Sequence, residues 1–251
     1  MLDKLENYSQ MPSPSPTEVF EKNWPVYQKV LDENYMKHIE LYGLLYQFLS
    51  TTFPQPFKLL ELGCGDASFS AEALSNTAIA SYQGVDLSEA ALAIARQNLE
   101  CLNCAYSFIH GNFIDVVPEL ASDQPGSFDV ILISFALHHL SFEQKDRLIG
   151  QLVNLLSPGG VFILIDIILK PHENRVDYIN RYLGYVKNNW SLLNPEELAM
   201  VENHMRSSDF PENQESLKFL AQKHHLQFNL LYLGSEYREH ISCFSPLTRD
   251  R

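Results

Sequence analysis

Leu59-Leu60-Glu61-Leu62-Gly63-Cys64-Gly65-Asp66-Ala67-Ser68 is the stretch on which the fold turns. Its first half is an apolar run of strand length carrying one acid, and its second half is a turn with two glycines that opens a helical stretch. Glycine has a geometric use there. A ligand can lie against the chain beyond the end of a strand only where side chains are absent, and the crevice outside the first strand of a doubly wound sheet is such a place. Outward from this turn, strands and helices alternate. Phe57 to Leu62 reads as a buried strand, Ala71 to Ser75 as a helix, Ile79 to Val85 as the next strand, and Leu87 to Leu99 as an Ala-rich helix with Ser88 as N-cap. Ala105 to Ile109, Phe128 to Ile133 and Val161 to Ile168 are further strand-length runs, with a helix from Phe142 to Leu156 between the last two. This alternation predicts an α/β fold with a parallel sheet covered on both faces.

Beyond Pro171 the pattern becomes helical and then gives two strand-like segments, Gln227 to Leu233 and Tyr237 to Phe244. Upstream of the sheet, Val30, Leu31, Tyr35, Ile39, Tyr42, Leu45, Tyr46 and Leu49 recur at helical spacing, which predicts one or two amphipathic helices between Val26 and Leu49. Residues 11 to 17, Met-Pro-Ser-Pro-Ser-Pro-Thr, read as a loose leader because alternating prolines remove donors and fix φ. The chain has no internal repeat.

With 251 residues and 45% hydrophobic content, the chain can bury one good-sized core. Its formal net charge is −13, and no run of Lys or Arg is present. That balance speaks against a nucleic-acid partner, whose phosphates call for a basic footprint, and against docking on an anionic membrane. The first ten residues contain Asp3 and Glu6 and no apolar central run, so a cytoplasmic protein without a secretory signal is expected. The longest apolar stretch, Val161 to Leu169, is broken by Asp166 and is too short to span a bilayer. Cys101 and Cys104 have C-x-x-C spacing but no second pair, and no spacing of His, Asp and Glu suggests a metal site, so no metal is expected.

Asp86 ends the second strand in Gly84-Val85-Asp86-Leu87-Ser88, about twenty residues after the glycine turn, where an acid accepts hydrogen bonds from the ribose hydroxyls of an adenosine-type cofactor. The spacing also suits a nicotinamide dinucleotide. Two features separate the alternatives: the third glycine of the dinucleotide fingerprint would fall at Ser68, and Glu61 stands inside the first strand. A carboxylate there would repel a pyrophosphate, whereas it can help hold the ammonium and sulfonium end of S-adenosyl-L-methionine.

Taken in order, these motifs resemble those of the class I S-adenosylmethionine-dependent methyltransferases from about Phe57 to Ile168. Glu61-Leu62-Gly63-Cys64-Gly65 looks like the family's first motif, with Ala67 where a third glycine is common, and Asp86 looks like its ribose-binding acid. Gly111-Asn112-Phe113 is similar to the adenine-contacting segment, with Asn112 in place of the usual Asp. Phe128 to Ser134 followed by Phe135-Ala136-Leu137-His138-His139-Leu140 is like the fourth strand and active-site loop, and Leu156-Ser157-Pro158-Gly159-Gly160 is like the turn before the fifth. The resemblance implies a mostly parallel, doubly wound seven-stranded sheet with its last strand antiparallel, an N-terminal helical lid and a helical insertion after the fifth strand. It implies a leader and lid over residues 1–50 and a Rossmann-like domain over 51–251, with a helical cap at about 171–210. It also implies that Glu61, Gly63, Cys64, Gly65, Asp86, Leu87, Asn112, Phe113, Ser134 and Phe135 bind the cofactor, with S-adenosyl-L-homocysteine as the product.

For the acceptor, His138 and His139 follow the fourth strand, and imidazole is the group best tuned to remove a proton near neutrality. In the similar phosphoethanolamine methyltransferases such a histidine pairs with a tyrosine from the lid helix, which implies Tyr35 here. His38 follows on nearly the same helical face, and Tyr178, Tyr182 and Tyr185 form a stripe in the insertion; His38, Tyr178 and Tyr182 are the expected substrate contacts, with packing as the other reading of the stripe. Trp24 and Trp190 read as packing residues, and Glu196-Glu197 as a solvated helix start after Asn194-Pro195. The expected activity is methyl transfer to an O, N or S atom of a small-molecule substrate by a monomer or homodimer. A nucleic-acid methyltransferase, a nicotinamide-dependent oxidoreductase and a catalytically silent cofactor-binding protein stay open as alternatives.

Overall fold

The computed structural model describes residues 26–247; the expected leader and Trp24 lie outside the described residues. Helix α1 covers residues 26–32, after which Asn34 and Lys37 turn the chain at φ 51° and 64°. Asn34 tolerates the left-handed region, and its side-chain oxygen accepts the Ile39 N–H at 3.0 Å, satisfying a free donor in the first turn of α2, His38–Thr52. The periodicity from Val26 to Leu49 is therefore two helices. Leu41, Leu45 and Leu49 of α2 pack in the same buried cluster as Leu59 of the first strand. A division after residue 50 thus falls inside a core helix, and α2 is no detached lid.

The chain continues through β1 (Phe57–Leu62), α3 (Ser68–Leu74), β2 (Ile79–Asp86), α4 (Glu89–Leu99), β3 (Ala105–His110), α5 (Phe113–Asp123), β4 (Phe128–Ser134), α6 (Phe142–Leu155) and β5 (Leu156–Ile167). An insertion of α7 (Arg175–Asn189) and α8 (Pro195–Ser208) follows, then α9 (Gln214–Lys223), β6 (Leu226–Leu233) and β7 (Glu239–Pro246). The seven strands lie in the order β3-β2-β1-β4-β5-β7-β6, with β7 antiparallel to both β5 and β6. The strand order reverses at β1 and β4, whose parallel neighbours lie on opposite sides, and this opens a crevice beyond their carboxyl ends.

Alternate strand residues feed two apolar layers. Leu59, Val130, Leu132, Ile163 and Ile165 face the layer that holds α2 and α7, while Leu60, Leu62, Ile131, Ile133 and Leu164 face the layer that holds α5, α6 and α9. Short-range signals set the helix ends. Ser88 accepts the Ala91 N–H as N-cap of α4, and α6 and α8 each begin with a reciprocal capping box, Ser141 with Gln144 and Asn194 with Glu197. Helix α5 escapes the sequence reading because Pro118 stands inside it and reads as a breaker. Asn112 caps that helix, and burial of Phe113, Val117 and Leu120 on one face offsets the bond that Pro118 cannot donate.

Candidate active site

At the end of β1, Gly63 and Gly65 adopt φ +74° and +53°. The Gly63 and Cys64 N–H groups donate to the Val85 carbonyl at 2.8 and 3.1 Å, tying the turn to the end of β2. A Cβ on Gly63 would stand 2.8 Å from the Ala136 Cβ in the loop after β4, so the two segments approach more closely than a side chain permits. A Cβ on Gly65 would meet nothing within 4 Å; there the positive φ alone selects glycine and the backbone is bare. Ala67 sits at φ 52°, a conformation that costs an L-residue roughly 1–2 kcal/mol, which explains why glycine suits this position.

Asp86 closes the turn: Oδ2 accepts the Gly65 N–H and Oδ1 the Ser88 N–H, both at 2.8 Å. Burial raises its pKa, and the backbone donors oppose that rise. Each oxygen keeps a second lone pair for a hydroxyl donor. Leu87 is half-buried beside it, with its carbonyl 2.9 Å from His110 Nε2. Glu61 is buried below the turn, where Oε2 accepts the Tyr82 hydroxyl at 2.6 Å and Oε1 the Ser70 hydroxyl at 2.8 Å, with Tyr42 more distant at 3.5 Å. Burial pushes its carboxyl up to about 7 against these three donors. The crevice thus pairs bare backbone and two buried carboxyls, a donor set that fits a ligand with hydroxyls at one end and positive charge at the other.

The remaining expected cofactor residues divide by what they can offer. The Cys64 thiol packs against Gly84, whose hypothetical Cβ would lie 2.8 Å from Sγ, and reaches the Gly65 carbonyl at 3.8 Å. Asn112 spends its side-chain oxygen on the Ile114 N–H at 3.0 Å, and Phe113 is buried next to Gly63. Ser134 is half-buried, and Phe135 takes φ 47°, held there by its N–H bond to the Ile165 carbonyl at 2.8 Å. A bulky residue in that region is strained, and such strain recurs at ligand-binding loops.

The Phe135 ring lies 4.8 Å from His38, which stacks on Phe69 at 5.0 Å and approaches Tyr42 at 6.4 Å. His38 is 3% exposed; burial pulls its pKa down to about 4, and its Nδ1 has no partner among the described residues. Tyr35, expected against His138, instead stacks on Trp190 at 5.2 Å and accepts the Leu192 N–H at 3.0 Å. The left-handed break between Asn34 and Lys37 separates it from His38, and its ring and hydroxyl engage Trp190 and Leu192. Tyr35 latches the α1–α2 connection to the loop after α7. Tyr178 and Tyr182 are buried with rings 5.6 Å apart, and the Tyr178 hydroxyl and Trp190 Nε1 lack partners among the described residues. Tyr185 sits half-buried under the Arg238 guanidinium at 3.9 Å, at the rim of the stripe.

Tyr27, which no periodicity in the sequence singles out, comes from α1. Burial first, then the carboxylates of Asp66, Asp86 and Glu61, raise its pKa. Lys29 and Glu197 tie α1 to α8 at 2.8 Å.

His138 is buried in the loop after β4, its Nδ1 2.5 Å from Asp166 Oδ1 and its N–H on Asp166 Oδ2 at 3.0 Å. Burial lowers its pKa, but the Asp166 charge outweighs burial and the net shift is upward. Asp166 is legible in retrospect as the one acid inside an otherwise apolar strand. His139 is exposed, with Nδ1 3.2 Å from the Ser208 carbonyl. The sequence spacing predicts no metal site, yet the fold gathers His138, His139 and Asp209 so that one ligand atom of each lies within 4.8 Å of the others. All four cysteines are free, and no helix among the described residues is long and apolar enough to cross a membrane.

A doubly wound sheet with a bare glycine turn closed by an acid after its second strand is an arrangement that fits an adenosyl cofactor. Residues 60–162 match the family described as a methyltransferase domain. Over 115 residues the chain is 30% identical to an uncharacterized methyltransferase of Bacillus cytotoxicus, covering 46% of this chain and 49% of that protein, so it spans about half of that relative's length. It is 24% identical over 184 residues to carboxy-S-adenosyl-L-methionine synthase 1 of Yersinia pseudotuberculosis, covering 71% and 76% of the two. Among solved structures, the plantazolicin methyltransferase BpumL in complex with a desmethyl plantazolicin analogue and S-adenosylhomocysteine shares the fold, with TM-score 0.63, 16% identity and coverage of 92% and 93%. Over residues 60–162 the chain is thus similar to methyltransferase domains, and its fold is that of a methyltransferase solved with S-adenosylhomocysteine bound.

Proposed function

We propose that the protein transfers the methyl group of S-adenosyl-L-methionine to an oxygen, nitrogen or sulfur atom of a small, largely apolar or aromatic metabolite held beneath α7. The observation that carries this reading is a set of buried polar atoms without partners, His38 Nδ1, the Tyr178 hydroxyl and Trp190 Nε1. Tyr178 and Trp190 belong to one apolar cluster, and the His38 ring touches Phe135 and Tyr42 of the same cluster. A buried polar atom left unpaired costs about 1–3 kcal/mol, so these atoms fit a ligand that is apolar in bulk and carries polar groups to pair with them.

When bound, S-adenosyl-L-methionine supplies an electrophilic methyl group on a sulfonium centre. The work of the chain is alignment and exclusion of water. Asp86 keeps lone pairs for ribose hydroxyls, Glu61 offers a carboxylate to the cationic end, and Phe69, Phe135 and Tyr42 wall the site. His38, neutral at pH 7 with its pKa near 4, accepts a hydrogen bond from an acceptor hydroxyl or amine through Nδ1. His138 has its Nδ1 committed to Asp166 and its Nε2 turned toward Asp209, so His38 takes that task in this reading. The net charge of −13 supports a metabolite over a polyanionic acceptor, and a cytoplasmic setting goes with that choice.

Incubation of the purified protein with methyl-labelled S-adenosyl-L-methionine and metabolite extract, followed by mass spectrometry, tests the proposal. Label is expected in a low-mass product and is suppressed by excess S-adenosyl-L-homocysteine. Label recovered only in bulk RNA, or retained wholly on the donor, overturns it.

A further inference from the structure

Three imidazoles converge on one carboxylate oxygen between the β4 loop and the end of α8. Asp209 Oδ1 lies 3.7 Å from His138 Nε2, 3.7 Å from His139 Nδ1 and 3.6 Å from His204 Nε2. Asp209 is 4% exposed, and this oxygen accepts no hydrogen bond from any described residue. These separations exceed the hydrogen-bond range, which ends near 3.2 Å for N–H···O. They approach another standard spacing: donors bound tetrahedrally to one cation at about 2.1 Å stand roughly 3.4 Å apart.

The surroundings point the same way. A carboxylate on His138 Nδ1 fixes the proton there and leaves the Nε2 lone pair directed at Asp209, as Asp166 does here at 2.5 Å. Metal-ligating histidines are held in this manner, with the second ring nitrogen on a carboxylate. The nearby cations are engaged elsewhere: Lys145 bonds the Phe210 carbonyl and Glu212, and Arg175 bonds the carbonyls of Met205, Arg206 and Asp209. A proton on His138 Nε2 could offset the Asp209 charge, but at 3.7 Å it would make no hydrogen bond.

We propose that His138 Nε2, His139 Nδ1 and Asp209 Oδ1 bind a divalent first-row cation, zinc above all, with His204 Nε2 as the neighbouring fourth donor. Imidazole with one carboxylate is a donor set that suits zinc and its neighbours over magnesium or calcium. Loading requires the His139 proton to reside on Nε2, so that Nδ1 exchanges its contact with the Ser208 carbonyl for the ion. The ligands come from two places, the loop after β4 and the C-terminal end of α8. The ion therefore staples the helical insertion to the loop that carries Phe135, and it gives the His-His pair a positioning role instead of proton removal. This assignment stands whether or not the acceptor proposed above is correct.

The test uses untagged, chelator-stripped full-length protein titrated with zinc chloride by calorimetry, and with cobalt chloride by visible absorption. One saturable equivalent of zinc, a cobalt spectrum in the range of four-coordinate sites and a raised melting temperature are expected. Asp209→Asn, which keeps shape, and His139→Ala, at an exposed position, are expected to weaken binding at least about tenfold while leaving the circular dichroism spectrum unchanged. His172→Asn, at an exposed histidine outside the cluster, retains full binding. No saturable binding to the parent protein, or unchanged affinity in both cluster variants, overturns the assignment.

Discussion

The two walls of the crevice are built by different means. On the wall proposed for the cofactor, backbone N–H groups of Gly63, Cys64 and Gly65 all find acceptors at the end of β2, and Asp86 and Glu61 each accept donors from adjacent segments, Asp86 with lone pairs to spare. On the wall proposed for the acceptor, His38 from α2 meets Tyr178 and Trp190 from α7 and its C-cap, and all three bring polar atoms with no partner among the described residues. The first wall is preorganised by hydrogen bonds and tolerates little change. The second is held by apolar contact and leaves its polar groups to the ligand, so acceptor choice can differ among chains that share the first wall.

The largest effect that would sharpen this contrast is expected from Asp86→Ala. It removes the carboxylate proposed to accept two ribose hydroxyls, hydrogen bonds to a charged group worth about 1.5–3 kcal/mol each, and S-adenosyl-L-homocysteine affinity measured by calorimetry should fall on the order of 1,000-fold. His38→Ala comes next: kcat should fall about 100-fold while donor affinity stays at the parent value. Equal losses in both quantities would break the separation of the walls.

A smaller effect follows from Glu61. Its carboxyl, pushed up to about 7, is protonated in mildly acid solution and ionised above neutrality, and the groups facing it are Tyr42, Ser70, Tyr82 and Asp86. A cationic donor favours the ionised form, so donor affinity should rise roughly tenfold from pH 6 to pH 8, and Glu61→Gln should flatten that profile. The same raised pKa gives the sign for stability. The proton favours the folded state, so this contribution is full below the ordinary glutamate value and is lost as pH rises through about 7. Tyr35→Phe is the mildest change. Loss of the bond to the Leu192 N–H should lower unfolding stability by about 1 kcal/mol in urea denaturation, with donor affinity unmoved.

The placement of the wall proposed for the cofactor was legible in the sequence because its contacts are local. Strand β1 has the bounds that its apolar run predicts, the glycine turn follows at once, and Asp86 stands at the end of the next strand. Helix α5 was not legible, since Pro118 breaks its local pattern and only the tertiary burial of Phe113, Val117 and Leu120 restores it. Tyr35 was misplaced for a similar reason: helical spacing put it beside His38, and a left-handed turn at Asn34 and Lys37 interrupts that spacing. The cluster around Asp209 depends on α8 ending against the β4 loop, a long-range packing event that no residue spacing encodes.

The most direct measurement is a calorimetric titration of the purified chain with S-adenosyl-L-homocysteine and, separately, with NADH. The account predicts saturable binding of the first at one site, abolished in Asp86→Ala, and no binding of the second. Tight NADH binding without S-adenosyl-L-homocysteine binding would contradict it.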